Sequence, residues 1–226
     1  MVLFVPGFMQ RRDAWRPVAE LLPERYPSVL LDHAEHSFEG RLAEIAEAGE
    51  GAVLAGYSLG GRLALRAALR DPGRYAGLVT VGATAGIEER TERAAADEKV
   101  AAWMERSSIE EIVAVWERQA LFADQSEALI EQQRPGRLSH DPRELASLLR
   151  TAGQGVLEPV WDELTGLDLP LLAIAGARDE RYGAAARRIA ELAPRGRFEL
   201  VENAAHAPQL QRPEAVARLL VEFLER

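Results

Sequence analysis

Three residues far apart in the chain can together activate a hydroxyl: Ser58, Asp179 and His206. Ser58 stands in Gly56-Tyr57-Ser58-Leu59-Gly60. That spacing fits a sharp strand-to-helix turn, which exposes the serine hydroxyl at the top of a sheet. The flanking glycines remove Cβ atoms that would clash as the backbone doubles back. A serine hydroxyl is a weak nucleophile at neutral pH and needs a base. His206, in the small-residue segment Glu202-Asn203-Ala204-Ala205-His206, is expected to take that proton and later return one to a leaving group. Asp179, behind Gly176-Ala177-Arg178, is expected to fix the imidazole tautomer and stabilise the imidazolium. Asp162 and Asp168 compete for this role, but they precede a strand and would lie at its wrong end. An oxyanion needs two preorganised N–H donors. One is expected from Leu59, at the positive end of its helix. The other is expected from Phe8, with Gly7 letting the chain turn so that the next amide points inward.

These residues need a scaffold, and the sequence contains one. Six short apolar runs, at 2–5, 28–31, 51–55, 77–81, 169–175 and 197–201, read as buried parallel strands. Helical patterns follow most of them, at 15–22, 39–47, 59–69, 183–192 and 213–224. The alternation predicts an α/β architecture: a mainly parallel sheet of about six strands, flanked by helices and joined by right-handed crossovers. Ser58 then has a strand before it and a helix after it, as its motif requires. From residue 85 to 164 no strand is evident, while helical patterns recur, as in Ile109, Ile112, Val113 and Trp116. The expected organisation is a core of residues 1–84 and 165–226, with 85–164 as a helical lid over the C-terminal edge of the sheet.

Composition narrows the partners. At 226 residues the chain is long enough for one domain with an insertion. The formal net charge of −9 argues against nucleic acid or an anionic membrane surface, both of which need a basic footprint. It leaves room for an anionic small molecule, since a local arginine cluster reverses the field inside a pocket. Without cysteine, disulfides and thiolate chemistry are excluded. The five-residue apolar start, Met1 to Val5, has no basic region before it and reads as neither a signal peptide nor a membrane span. A cytoplasmic location is expected, with a small-molecule substrate and no cofactor or metal. Among the other histidines, His33 and His36 fall in a loop expected near the pocket mouth, where no third metal ligand is evident. His140 reads as a surface residue of the insertion.

Three segments carry a closer resemblance. Gly56 to Leu65, Trp116-Glu117-Arg118-Gln119-Ala120-Leu121-Phe122-Ala123, and Val5-Pro6-Gly7-Phe8 followed by Trp15 resemble the 2-succinyl-6-hydroxy-2,4-cyclohexadiene-1-carboxylate synthases, a family with the α/β-hydrolase fold. The resemblance runs over nearly the whole chain. It implies a serine triad that abstracts a proton and expels pyruvate from 2-succinyl-5-enolpyruvyl-6-hydroxy-3-cyclohexene-1-carboxylate, without attack by water. It also implies that Tyr57, Arg62, Trp116 and Arg137, or in place of Arg137 its neighbour Arg134, bind a substrate bearing several carboxylates. A planar guanidinium grips carboxylates bidentately, and Arg62 lies one helical turn from Ser58.

There are departures. Pro6 stands where the family commonly has histidine, and Asp32-His33-Ala34-Glu35 replaces a Pro-Gly-His-Gly loop. A lid arginine of the family falls on Ala96, with Arg90 and Arg93 nearby. The antiparallel hairpin usual before the first parallel strand is not present ahead of Val2. The alternative reading is a carboxylic ester hydrolase with an acyl-serine intermediate, because one triad serves both chemistries.

Overall fold

Six strands form one wholly parallel sheet in a computed structural model that describes all 226 residues. They are β1 (Val2–Val5), β2 (Ser28–Leu30), β3 (Val53–Tyr57), β4 (Gly77–Val81), β5 (Leu171–Gly176) and β6 (Gly196–Val201). Their spatial order is β2-β1-β3-β4-β5-β6. Between them run α1 (Arg16–Ala19), α2 (Phe38–Ala48), α3 (Leu59–Arg70), α4 (Arg90–Met104), α5 (Ile109–Trp116), α6 (Glu127–Leu138), α7 (Pro142–Ala152), α8 (Glu180–Leu192), α9 (Pro208–Gln211) and α10 (Pro213–Leu224). No helix is long and apolar enough to cross a membrane.

Alternation along the strands divides the core in two. Leu3, Leu54, Leu78, Leu171 and Ala173 face one helical layer with Leu63 and Ile189. Val2, Phe4, Val53, Val79, Leu172 and Ile174 face the other, with Trp15, Val216 and Leu220. The pairing Tyr57↔Val81, beside Val5↔Gly56, brings the C-terminal ends of β1, β3 and β4 level at one edge of the sheet. The loops that leave this edge carry the residues singled out above.

The structure corrects the reading in places. Only the inner strands are fully buried. β2 and β6 close the two ends of the sheet and are partly exposed, since each has one neighbour. β3 starts two residues late because Gly51 takes a left-handed turn (φ 69°), and it runs on through Gly56 and Tyr57. The first helical pattern breaks into a 3₁₀ turn and the single α turn of α1, with Pro17 near its start and Pro23 soon after its end.

No strand lies between β4 and β5. Helices α4 to α7 fill this interval. Each of the last three is capped by a side chain: Ser108 with a Ser108–Glu111 capping box, Ser126, and Asp141. Their small core of Ala101, Met104, Ile112, Val113 and Leu145 closes over Met9, which comes from the loop after β1.

Candidate active site

Ser58 joins β3 to α3 with φ 48° and ψ −109°, a conformation that L-residues rarely adopt. The neighbouring glycines are there for space. A Cβ on Gly56 would lie 2.3 Å from the Gly60 carbonyl oxygen, and one on Gly60 would lie 2.3 Å from that of Val5. The backbone of the turn is therefore packed directly against itself and against β1. The serine Oγ is 3.3 Å from His206 Nε2, and His206 Nδ1 is 2.8 Å from Asp179 Oδ2. The three residues thus form one hydrogen-bonded chain.

Each member is positioned by its own loop. Asp179 is the N-cap of α8, and its Oδ1 accepts from the Tyr182 amide at 3.1 Å. His206 is 2 % exposed and lies between two aromatic rings, Tyr182 at 4.4 Å and Tyr57 at 5.4 Å. Gly82 is left-handed at φ 56°, and a Cβ there would sit 2.8 Å from the His206 carbonyl oxygen. The segment carrying the imidazole is thereby held against the end of β4.

Phe8 and Leu59 both line the cavity that contains Ser58. Leu59 is the first residue of α3, so its amide has no carbonyl one turn earlier within the helix. The role expected of Gly7 is corrected. The left-handed residue in this loop is Met9, at φ 55°. Glycine is required at position 7 because a Cβ would lie 2.7 Å from the Tyr57 ring. The Trp15 indole N–H donates to the Val5 carbonyl at 3.0 Å and fixes the start of the loop.

The cavity has a volume of about 410 Å³ and lies between the sheet edge and the helical insertion. Arg62 lines it, half-buried, and its Nη1 donates to the Ala152 carbonyl at 2.9 Å. Arg62 takes part in none of the ion pairs of the structure. Burial lowers its guanidinium to about 10, so the group is still charged at neutral pH. Trp116 lines the same cavity, with Phe8 at 5.2 Å and Phe122 at 5.5 Å from its ring.

Tyr57 and Arg137 lie deeper, on a small cavity of about 40 Å³ that Ser58 and His206 share. Burial pushes the Tyr57 phenol well above its usual range. Arg137 is 3 % exposed, and its Nη1 meets Glu117 Oε1 at 3.0 Å. It stands beside the site with its charge already matched. Arg134 binds the same Glu117 at 2.7 Å.

Of the two arginines near Ala96, Arg93 lines the main cavity, as do Asp97, Gln154 and Arg181, which the sequence did not single out. Arg93 pairs with Asp97 at 2.7 Å, one turn away on α4. Gln154 donates to the Tyr182 hydroxyl at 2.8 Å. Of the last three, only Arg181 had a visible signal, two residues after Asp179.

The remaining histidines lie away from this cavity, and two expectations for them are corrected. His33 is 4 % exposed, with Nδ1 2.6 Å from Glu44 Oε2. Burial, with Arg41 adding to it, lowers this imidazole to about 4. His140 is half-buried rather than a surface residue. Burial, with Arg11 and Arg41 adding to it, lowers it to about 3.

Residues 2–219 match the sequence profile of the alpha/beta hydrolase family. The chain belongs to that family. Among the relatives of this alpha/beta hydrolase is a Bacillus subtilis (strain 168) protein, named provisionally as a 2-succinyl-6-hydroxy-2,4-cyclohexadiene-1-carboxylate synthase. The two are 30% identical over 245 residues, covering 99% of this chain and 89% of the relative. A relative from Enterobacter sp. (strain 638), named as the same synthase, is 28% identical over 247 residues, covering 99% and 91%. Of solved structures, MenH from S. aureus superposes with a TM-score of 0.89 at 25% identity, covering 99% of this chain and 92% of that one. A thermophilic esterase from Thermogutta terrifontis superposes with a TM-score of 0.85 at 23% identity, covering 99% and 89%. This last likeness is one of fold.

Proposed function

We propose that this alpha/beta hydrolase acts through a Ser58-His206-Asp179 triad on a carboxylate-bearing small molecule, as a pyruvate-eliminating synthase of the kind its sequence relatives are named for. One observation carries the substrate class. Arg62 is a half-buried guanidinium with no carboxylate partner, its charge disfavoured by burial, placed one helical turn from Ser58 in the same cavity. Burying a cation without a counter-ion is costly unless a ligand supplies the charge. A substrate carboxylate does so bidentately.

In this reading His206 withdraws the Ser58 proton, and Asp179 holds the imidazole in the tautomer that can accept it. The serine oxygen then relays the abstraction of a substrate proton, and pyruvate leaves as the ring gains its double bond. The amides of Phe8 and Leu59 stabilise the negative oxygen that develops. Trp116 and Tyr57 shape the apolar wall, and Arg137, matched by Glu117, borders the inner end. Residues 85–164 act as a lid that keeps water from the reaction. The protein works in the cytoplasm.

Two observations favour the second reading, a carboxylic ester hydrolase. The Arg137 charge is spent on Glu117, and Ala96 offers no cation. In that case Ser58 attacks the ester carbonyl, forms an acyl-serine, and water releases it. The deciding experiment supplies the enolpyruvyl precursor and measures pyruvate release, with short-chain nitrophenyl esters in parallel. Fast pyruvate release with negligible ester cleavage is expected. The reverse result would replace the synthase by the esterase. Ser58→Ala is expected to lower kcat by about a thousandfold or more on whichever substrate is turned over. Full activity in that variant would remove Ser58 from the chemistry.

A further inference from the structure

A second guanidinium on the cavity of Ser58 has no carboxylate partner. Arg181 lines that cavity together with Arg62 and Ser58, is exposed, and takes part in no ion pair. Its guanidinium carbon lies 5.8 Å from the centroid of the Tyr182 ring. The third arginine there, Arg93, is different, since Asp97 holds its Nε at 2.7 Å.

Arg181 also sits where cavities meet. It lines a neighbouring cavity of about 250 Å³ with Trp161 and Arg188, and the Arg188 guanidinium lies 4.2 Å over the Trp161 ring. It lines a shallow outer depression as well, into which Glu88, Glu89 and Glu92 also face. None of these acids comes within ion-pair distance of Arg181 or Arg188. Arg181 therefore stands at the mouth through which the inner cavity opens toward solvent.

Its position in α8 runs against local preference. Arg181 is the second residue of that helix, where the positive end of the helix dipole disfavours a cation. Neither Asp179, which meets the Tyr182 amide and His206, nor Glu180 in the same first turn forms an ion pair with Arg181. Departures from local preference of this kind concentrate at functional sites.

We infer that Arg181 is a specificity-determining residue that holds an outer carboxylate of the substrate at the cavity mouth while Arg62 holds an inner one. The site thereby selects molecules with at least two carboxylates over those with one. This rests on the reading of the Ser58 cavity as a site for anionic substrates. No bond is made or broken at Arg181, so its effect belongs to binding.

The test uses the intact chain as wild type, Arg181→Gln and Arg181→Lys. Linear dicarboxylates from succinate to suberate are titrated by calorimetry against their monomethyl esters. KM and kcat for pyruvate release are measured alongside. Wild type is expected to prefer at least one dicarboxylate over its monoester. In Arg181→Gln that preference falls by about tenfold or more, as loss of a charge-assisted contact requires. KM rises by a similar factor and kcat is kept, the signature of lost uniform binding. Arg181→Lys recovers part of both. An unchanged dicarboxylate preference and KM in Arg181→Gln overturns the inference. If wild type releases no pyruvate, the synthase reading fails by itself. The titration still decides the role of Arg181: a preference that disappears with the arginine sustains it. A preference that persists in the variant, or that wild type lacks, overturns it.

Discussion

Asp179 does two things with its two oxygens. Oδ2 meets His206 at 2.8 Å, and Oδ1 caps α8 through the Tyr182 amide. The functions separate by mutation. Asp179→Asn keeps a capping oxygen but is expected to favour the wrong imidazole tautomer, lowering kcat by about 10⁴ with little change in unfolding free energy. Asp179→Ala loses both and is expected to cost about 1 kcal/mol of stability in addition. Turnover and urea unfolding measured on the same samples check this. An Asp179→Asn enzyme with wild-type kcat would remove Asp179 from the triad. The three members of the hydrogen-bonded chain were legible in the sequence because each follows a strand in a turn of small residues. The state of Arg137 was not, because its partner Glu117 approaches across two helices, α5 and α6, and no local pattern records that pairing. For Gly7 the residue type was legible and the reason was not. The crowding comes from Tyr57, fifty residues away.

Between elements, the seam joining the loops after β1 and β2 to the insertion holds three of the four histidines. His36 Nε2 reaches Glu144 of α7 at 3.1 Å, Arg11 donates to Ser139, and the Phe38 amide donates to Thr151. His33 and His140 are both held below the usual imidazole value of about 6.5. As pH falls below about 6.5, the unfolded chain takes up protons that these two sites refuse until about 4 and about 3. The unfolded state then binds more protons, so stability declines toward acid across that window and is unaffected above it. The slope is about 1.4 kcal/mol per pH unit for each proton withheld. A His33→Asn/His140→Gln variant is expected to show a flatter stability profile between pH about 4 and about 6.5, read from urea midpoints. Parallel profiles would show that these imidazoles titrate alike in both states. The strands and long helices of this region were legible from periodicity. The burial of His140 was not, because it depends on α6 and α7 folding back onto Arg11 and Arg41.

At the scale of the whole molecule, the insertion is not a separable body. The largest core cluster contains Leu148, Ala152, Val160 and Trp161 from the chain between β4 and β5, together with Leu3 and Leu54 of the sheet. Met9 in turn enters the core of the insertion. A single cooperative thermal transition is therefore expected, with calorimetric and van't Hoff enthalpies in agreement. Two resolved endotherms would contradict it. The parallel α/β class and the place of the helical interval between β4 and β5 follow from strand–helix alternation and were legible in the sequence, whereas the order β2-β1-β3-β4-β5-β6 emerges only from the pairing of the strands. This sharing of one core was not legible, because it depends on which face α7 turns inward.

With Ser58 in its proposed role, the elbow sets stability and activity against each other at a single position. Its backbone is held at φ 48° and ψ −109°, where a Cβ is unwelcome and glycine is at ease. Selection for folding alone would place glycine there. Ser58→Gly is accordingly expected to be inactive and to melt no lower than wild type, whereas a serine moved to any relaxed turn would gain comfort and lose its aim. Under the role proposed for Ser58, the strain at this residue is the physical trace of a chain selected for what it does as well as for whether it folds.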